Sequence, residues 1–430
     1  MVKRMKDELF HIRPSDKPTQ WYQILADFNE PLPPIRYGED VKLSKLEHEK
    51  IRVKELVKQD TNTSRYVDIP KEVIEKYEMC GRDTPLMRAY SLEQYLGTCA
   101  EIYVKREDVL PTHSFKLNSA LAQVYYAKQE GFDRVVSETG AGQWGLALSY
   151  AAKVFGMKAD IFWVRSSMVQ KPYRADWSSF FQAIIHASPS KETETGRIEL
   201  GKDCECPGSL GIAIGEAVEY ARKQKNCAYI SGSNLPDVIL HQSIIGLETK
   251  KQLLQIGVKP DFFVACCGGG SNLGGFMGPF FFDEQYKNVR FLAAESDVAP
   301  RLTKGEYRYD YPDPLCILPQ VKSYTLGKDY MPPVTHVGGL RQHNGSAVIG
   351  WLRNKGMLQA ESFSQEEVLQ AGKLFANLYG VIPAPESSHA LAAAIKRALY
   401  AKKMKKKEVI VLCLSGCGVL DMQAYIEGGR

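Results

Sequence analysis

The stretch DFFVACCGGGSNLGG, residues 261–275, joins an apolar segment directly to three consecutive glycines. The apolar part predicts a buried strand, and the residues after the glycines predict a helix. Glycines at such a junction let backbone N–H groups turn toward one point. Ser271 and Asn272 add side-chain donors at the helix N-terminus, where the helix dipole favours an anion. The stretch is neither a Walker A motif nor a GxGxxG loop, so it suits one compact phosphate. A tight turn needed for packing is the alternative.

Strand and helix patterns alternate around this stretch, from about residue 100 onward. The predicted strands lie at residues 101–107, 134–137, 159–164, 183–187, 261–267, 289–295 and 409–414, with helical patterns between most of them. Alternation with short links implies parallel sheets covered by helices. We therefore predict an α/β fold with two parallel-sheet domains, whose ligands bind beyond the carboxyl ends of the strands.

The predicted domain boundaries are interleaved. Residues 1–80 are expected to be an N-terminal extension that packs on the domains, residues 81–235 the first α/β domain, and residues 236–430 the second. Residues 300–345 are rich in proline, tyrosine and glycine and predict a long loop.

The composition argues against several functional classes. The net charge of +5 over 430 residues does not indicate a nucleic-acid or membrane partner. Residues 262–282 are apolar, but their six glycines favour a loop between a strand and a helix over a transmembrane segment. Most of the ten cysteines lie in apolar segments and are expected to be free thiols, not metal ligands. We expect a cytoplasmic protein without a catalytic metal ion.

Lys116 and Ser415 are two further residues that could take part in catalysis. Lys116, in PTHSFKLNSA (residues 111–120), follows a predicted strand and begins an amphipathic helix. A lysine together with a monophosphate cradle is what a protein needs to hold pyridoxal phosphate as a Schiff base. Ser415, in LSGCG (residues 414–418), ends the last strand. A neutral hydroxyl at the pyridine nitrogen favours elimination and replacement at the β-carbon over transamination.

Taken in order, these motifs resemble those of pyridoxal-phosphate enzymes of fold type II. More closely, the chain resembles the type-2, or β-like, tryptophan synthase beta chains. The resemblance runs from about residue 84 to 421 and includes the stretches KREDVLPTHSFKLNSALAQ, SETGAGQWGLAL, HQSIIGLE, GGGSNLGG, THVGGLR and IPAPESSHAL.

The resemblance implies roles for single residues. Lys116 would carry the cofactor covalently and act as the base at Cα, and Glu138 would orient indole and assist proton transfer. The substrate carboxylate would be bound by Thr139, Gly140, Ala141, Gly142 and Gln143, whose bare backbone leaves N–H groups accessible. The cofactor would be held by Asn118, Gly268, Gly269, Gly270, Ser271, Asn272, Glu386 and Ser415.

The implied reaction is β-replacement, in which L-serine or O-phosphoserine and indole give L-tryptophan. Lys171, Arg174 and Arg165 are cations that could meet the phosphate of O-phosphoserine, although a solvated helix face is the favoured explanation for them. The resemblance also implies a homodimer, and it allows a tryptophan synthase alpha subunit as partner and a monovalent cation as a second cofactor.

Two departures from the family pattern leave alternatives open. Phe115 precedes the lysine where histidine is usual, and Cys417 replaces a common histidine. The resulting SFK string is similar to that of serine/threonine dehydratases, so a serine or threonine ammonia-lyase is one alternative. A non-catalytic, regulatory β-like subunit is another, against which the intact Lys116 and Glu138 argue.

Overall fold

The computed structural model describes residues 6–427. Its strands are β1 (Glu8–Phe10), β2 (Gln20–Tyr22), β3 (Tyr66–Asp68), β4 (Leu86–Arg88), β5 (Glu101–Arg106), β6 (Arg134–Thr139), β7 (Lys158–Val164), β8 (Ile184–Ser188), β9 (Cys227–Tyr229), β10 (Phe262–Cys266), β11 (Arg290–Ser296), β12 (Glu306–Asp310), β13 (Val321–Thr325), β14 (Gln359–Phe363) and β15 (Val409–Leu414). Its helices are α1 (Lys45–Ile51), α2 (Lys54–Gln59), α3 (Lys71–Met79), α4 (Tyr90–Leu96), α5 (Lys116–Gln129), α6 (Gln143–Val154), α7 (Arg165–Gln170), α8 (Pro172–Phe180), α9 (Glu194–Lys202), α10 (Leu210–Lys223), α11 (Pro236–Gln255), α12 (Ser271–Phe281), α13 (Arg301–Lys304), α14 (Ala347–Asn354), α15 (Gln365–Tyr379), α16 (Pro385–Lys403) and α17 (Met422–Glu427). Residues 1–5 of the predicted extension and residues 428–430 of the predicted second domain lie outside the described residues.

The larger sheet has seven strands in the order β1-β4-β5-β15-β10-β11-β14. Neighbours from β5 to β14 are parallel, whereas β1 and β4 pair antiparallel at one edge. Strand β10 is buried on both faces. Phe263 packs with Phe276 of α12 on one face, and Val264 packs with Leu391 of α16 on the other. Burial on both faces explains the continuous apolar run of this strand.

The smaller sheet has four parallel strands in the order β8-β7-β6-β9. Helix α10 covers one face, where Ala213 and Ala217 pack against Val136 and Phe162. Ala147 of α6 belongs to the same apolar cluster as Val135 and Ile161. The prediction of two parallel-sheet α/β domains is therefore confirmed.

The strands of the two sheets are not separated in the sequence at residue 235, the predicted boundary between the two domains. Strands β4 and β5 fall within residues 81–235, yet they belong to the larger sheet, where β5 pairs with β15 from Val409↔Glu101 to Leu414↔Arg106. The extension also enters this sheet through β1. Its Trp21, which is fully buried, packs against His241 of α11 with ring centroids 4.6 Å apart.

Residues 300–345 contain more regular structure than the predicted loop. Strands β12 and β13 form an antiparallel ribbon in which Tyr307 faces Tyr324, with ring centroids 5.4 Å apart. Such cross-strand aromatic pairs stabilise a ribbon that has little core of its own. Residues 262–282 form β10, the glycine loop and α12. Within residues 6–427, no helix combines the length and the apolar character that crossing a membrane requires.

Candidate active site

Lys116 is the first residue of α5, in a turn fixed by the end of β15. The Phe115 N–H donates to the carbonyl of Ser415 over 3.0 Å, and the Cys417 N–H donates to the carbonyl of His113 over 2.8 Å. The amine nitrogen of Lys116 lies 4.8 Å from the centre of the Phe115 ring. Burial lowers the pKa of the amine to about 8, against the opposing effects of Cys266, Glu386 and Glu138. A neutral amine is therefore accessible near neutral pH.

The glycine loop between β10 and α12 approaches other backbone segments closely. A Cβ on Gly268 would lie 2.2 Å from the carbonyl oxygen of Gly339, and one on Gly269 would lie 2.6 Å from that of Ser233. Gly270 has φ +113°, in the region that favours glycine. Asn272 is buried, and its Oδ1 has no hydrogen-bond partner among residues 6–427. The loop thus exposes main-chain N–H groups at a helix N-terminus.

Glu138 lies near the end of β6 and is buried. Burial raises the pKa of its carboxyl to about 7, although hydrogen bonds to the carboxylate oppose this shift. Tyr229 of β9 donates to Oε2 over 3.0 Å, and Ser137 approaches the same oxygen at 3.5 Å. A carboxyl with a pKa near the working pH can both accept and return a proton.

Glycines in the loop after Glu138 allow its backbone to lie close to neighbouring segments. A Cβ on Gly140 would lie 2.7 Å from the carbonyl oxygen of Gly338. Gly142 has φ +88°, and a Cβ there would lie 2.1 Å from the Trp163 ring. Trp163 also donates to the carbonyl of Gly140 over 2.9 Å. The binding of a substrate carboxylate by this backbone stays a prediction.

Glu386 and Ser415 both line the second of two adjoining cavities. Glu386 Oε1 accepts from the Gly339 N–H over 2.9 Å, which fixes the segment at residues 338–339. The Ser415 hydroxyl lies 2.6 Å from that of Ser387 and 3.4 Å from the sulfur of Cys266. Ser415 thus presents a neutral hydroxyl, without an acidic hydrogen-bond partner among residues 6–427.

The two cavities bring together most of the predicted site residues. The first is lined by Lys116, Glu138, Thr139, Gly140, Ala141, Gln143, Trp144, Leu210, Gly232, Ser233, Gly338, Gly339 and Gln342. The second is lined by Phe115, Lys116, Gln143, Ser233, Cys266, Gly268, Gly269, Gly270, Ser271, Asn272, Gly339, Leu340, Gln342, Glu386 and Ser415. Lys116 is common to both, so its side chain lies between the predicted substrate region and the predicted phosphate region.

Two predicted site residues, Gly142 and Asn118, do not line either cavity. Gly142 faces Trp163, as described above. The Asn118 side chain takes part in a buried network, where its Nδ2 donates to Glu107 over 3.1 Å and to Gln242 over 3.0 Å, and its Oδ1 accepts from Arg82. The Asn118 side chain is therefore held by this network on the lysine helix α5, and its predicted contact with the cofactor stays a prediction.

Some of the residues that line the cavities come from distant segments that no local motif singles out. Ser233, Gly338, Gly339 and Gln342 line one or both cavities. In the sequence, THVGGLR (residues 335–341) contributes only to the family resemblance, and its paired glycines are the one local signal of a close approach there.

Lys171 and Arg174 are neither solvated nor free. Both are buried and pair with Asp421, at 3.0 and 2.6 Å. Arg174 also donates to the carbonyl of Ala141 over 2.7 Å, and so holds the loop at residues 139–143, the predicted substrate loop. Arg165 donates to the carbonyl of Pro189.

This donor set fits pyridoxal phosphate. The main-chain N–H groups of the glycine loop, which closely approach other backbone segments, offer a cradle for the phosphate, Lys116 is the amine that would bind the aldehyde, and Ser415 suits the ring nitrogen. Parallel sheets whose strand ends surround such a cavity define the class of fold type II pyridoxal-phosphate enzymes.

Comparisons with known proteins agree with this class. The family described as "Pyridoxal-phosphate dependent enzyme" matches residues 77–416. The chain is 47% identical to "Tryptophan synthase beta chain 2" of Thermotoga maritima, over 97% of this chain and 99% of that protein. It is 46% identical to "Tryptophan synthase beta chain" of Thermosipho africanus, over 97% and 100% of the two chains. The chain therefore belongs to the pyridoxal-phosphate-dependent enzymes and, among them, to the type-2 tryptophan synthase beta chains.

Solved structures support the fold. The crystal structure of an L-serine ammonia-lyase from Rhizomucor miehei is similar with a TM-score of 0.60 at 17% identity, over 80% of this chain and 97% of that one. Processed threonine deaminase isoform 2 from Solanum lycopersicum is similar with a TM-score of 0.62 at 19% identity, over 92% of this chain and 98% of that one.

Membership in the family shows that this chain is a lyase that uses pyridoxal phosphate as cofactor. It also shows that the chain has the beta-type function in tryptophan synthesis.

Proposed function

We propose that the chain replaces the β-hydroxyl of L-serine with indole to give L-tryptophan. One observation carries this proposal. Lys116 and Glu138 line the same cavity, and burial moves the pKa of the amine down to about 8 and that of the carboxyl up to about 7. Two groups that exchange protons near neutral pH can serve the two half-reactions of a replacement.

In the first half-reaction, Lys116 is the base that removes the proton from Cα of serine. When bound, pyridoxal phosphate supplies an electron sink that stabilises negative charge at this carbon. The ammonium formed on Lys116 can return its proton to the β-hydroxyl, which then leaves as water. Main-chain N–H groups of the loop at residues 139–143 hold the substrate carboxylate, with Arg174 supporting the loop through the Ala141 carbonyl.

In the second half-reaction, Glu138 orients indole through its N–H group and takes up the proton that indole loses as its C3 carbon forms the new bond. A buried carboxylate next to a bare backbone loop would favour an N–H donor and disfavour a second anion. Tyr229 stabilises the ionised carboxylate and so keeps the base available. A simple ammonia-lyase has no second substrate and no need of this carboxylate.

We infer that L-serine, and not O-phosphoserine, is the preferred donor. A leaving phosphate would need uncompensated cations near the substrate loop. The nearby Lys171 and Arg174 are buried in ion pairs with Asp421, and Lys171 also lies 3.8 Å from Glu386. The positive charge of Lys171 and Arg174 is therefore already balanced, and the Arg165 guanidinium is engaged by the carbonyl of Pro189.

Product analysis tests this function. The purified protein is incubated with pyridoxal phosphate and L-serine or O-phosphoserine, with or without indole, and tryptophan, pyruvate and ammonia are quantified. We expect tryptophan from serine and indole. Equal amounts of pyruvate and ammonia, unaffected by indole, would instead identify an ammonia-lyase. Tryptophan formed mainly from O-phosphoserine would overturn the inferred donor, and no product from either donor would support the non-catalytic alternative.

We further propose that the enzyme is a cytoplasmic homodimer that accepts an alpha-type subunit. Membership in the beta-chain family supports both associations, and ten free cysteines fit a reducing compartment. Light scattering of the purified chain, alone and mixed with a tryptophan synthase alpha subunit, would test the assembly. A monomer that does not change mass on mixing would contradict it.

A further inference from the structure

Arg301 is a buried guanidinium on the side of the glycine loop where α13 begins. Its side chain is 1% exposed. No carboxylate among residues 6–427 forms an ion pair with it, and its Nη1 has no protein acceptor there. The charge of Arg301 acts on Glu295 from beyond ion-pair distance, and the Glu295 carboxylate accepts hydrogen bonds from Leu302 and Thr303 instead. Burying an unpaired charge is costly, so this arginine calls for a functional explanation.

The guanidinium contacts the backbone at the first residue of the phosphate loop. Arg301 Nη2 donates to the carbonyl oxygen of Gly268 and lies 3.4 Å from the sulfur of Cys267. On the opposite side it packs against Gly345, where a Cβ would lie 2.3 Å from Cζ of Arg301. The next residue, Ser346, donates its N–H to the carbonyl of Gly269 over 2.9 Å. The charge thus lies between two backbone segments that form the base of the loop.

This contact acts on the cradle through one peptide unit. The carbonyl of Gly268 and the N–H of Gly269 belong to the same peptide group, so a cation on the carbonyl polarises that N–H and makes it a stronger donor. The permanent charge of the guanidinium also favours an anion in the cradle. A monovalent metal ion bound to backbone carbonyl oxygens would have the same two effects.

We propose that Arg301 is a positioning residue that serves as a built-in monovalent cation for the phosphate loop, so that this enzyme binds its cofactor without added sodium or potassium. The proposal rests on the cofactor phosphate lying at Gly268–Asn272, but not on which amino acid or nucleophile reacts. The guanidinium occupies the carbonyl that a metal ion serving this loop would need, so a separate monovalent cation does not fit at the Gly268 carbonyl.

Binding to the apo-protein tests the proposal without the reaction. The ligand is pyridoxine 5′-phosphate, which carries the phosphate but cannot react with Lys116, and calorimetry gives its affinity in sodium, potassium or tetramethylammonium chloride. We expect the same affinity for the wild type in all three salts. Arg301→Met should bind at least about 10-fold more weakly in tetramethylammonium, the loss of one charge-assisted hydrogen bond. Potassium, or guanidinium ion at a non-denaturing concentration, should restore part of this loss.

Matched controls separate a local effect from general destabilisation. Arg353 is a half-buried arginine that also donates to backbone carbonyls, those of Leu302 and Leu358, but lies outside the loop. Arg353→Met should keep wild-type affinity, and pyridoxine without phosphate should not distinguish Arg301→Met from the wild type. If Arg301→Met does not fold, the affinity of Arg301→Lys for pyridoxine 5′-phosphate and that of the wild type in the three salts test the proposal. A wild-type affinity that falls in tetramethylammonium, or an Arg301 variant that binds normally there, would overturn the proposal.

Discussion

Replacing Tyr229 with phenylalanine should shift the pH dependence of indole addition to higher pH. The Tyr229 hydroxyl donates to the buried Glu138 carboxylate over 3.0 Å, and this bond lowers the pKa of the carboxyl, which burial raises to about 7. A hydrogen bond to a charged group contributes roughly 1.5–3 kcal/mol, or about 1–2 pKa units at 1.36 kcal/mol each. Without it the pKa of Glu138 should rise to about 8–9.

The expected loss of activity follows from the fraction of ionised carboxylate. If ionised Glu138 is the base, a rise from about 7 to about 8–9 reduces that fraction at pH 7 by about 5- to 50-fold. Tryptophan synthesis should fall by the same factor at pH 7 and recover as the pH rises through the new pKa. Serine activation, measured as pyruvate formation without indole, should change little, because Lys116 performs that step.

The assay is tryptophan formation at saturating serine from pH 6 to pH 10, with Tyr330→Phe as a matched control. Tyr330 also donates its hydroxyl, to the carbonyl of Val298 over 2.8 Å, but it does not contact Glu138. An unchanged pH midpoint in Tyr229→Phe would refute the assignment of Glu138 as the base for indole addition. So would a loss of equal size at every pH.

Three further substitutions test single residues. Lys116→Ala should abolish both products and the adduct that borohydride reduces, because the amine is removed; a retained adduct would assign the covalent bond to another lysine. Glu138→Gln should spare pyruvate formation from serine and slow tryptophan formation, and equal loss of both would place Glu138 in the first half-reaction. Phe115→His should tighten cofactor binding by about 2- to 150-fold, the range for one recovered hydrogen bond, and raise the ratio of tryptophan to pyruvate. Weaker binding on titration, or an unchanged ratio, would make Phe115 a packing residue adapted to the Lys116 amine.

The local sequence was sufficient to predict the strands and helices that carry the candidate site residues. The apolar run at β10, the glycines that follow it and the helical start at Ser271 obey short-range rules of burial, dihedral freedom and helix dipole. The same rules located β6 with Glu138, β15 with Ser415, and the lysine helix. Each of these residues lies at or next to one end of a strand or helix, so the edge of a parallel sheet was the expected meeting place.

Tertiary structure decided which segments share a sheet and a cavity. The pairing of β5 with β15 joins residues about 300 positions apart, and no local pattern specifies such a partner. For the same reason the wall formed by Gly338, Gly339 and Gln342 and the burial of Asn118 in an ionic network were not predictable. The charge of Arg301 is visible in the sequence, but its contact with Gly268 depends on how β11 and β10 lie side by side. Sequence determines what each side chain can do, and the packing of distant segments decides which partner it meets.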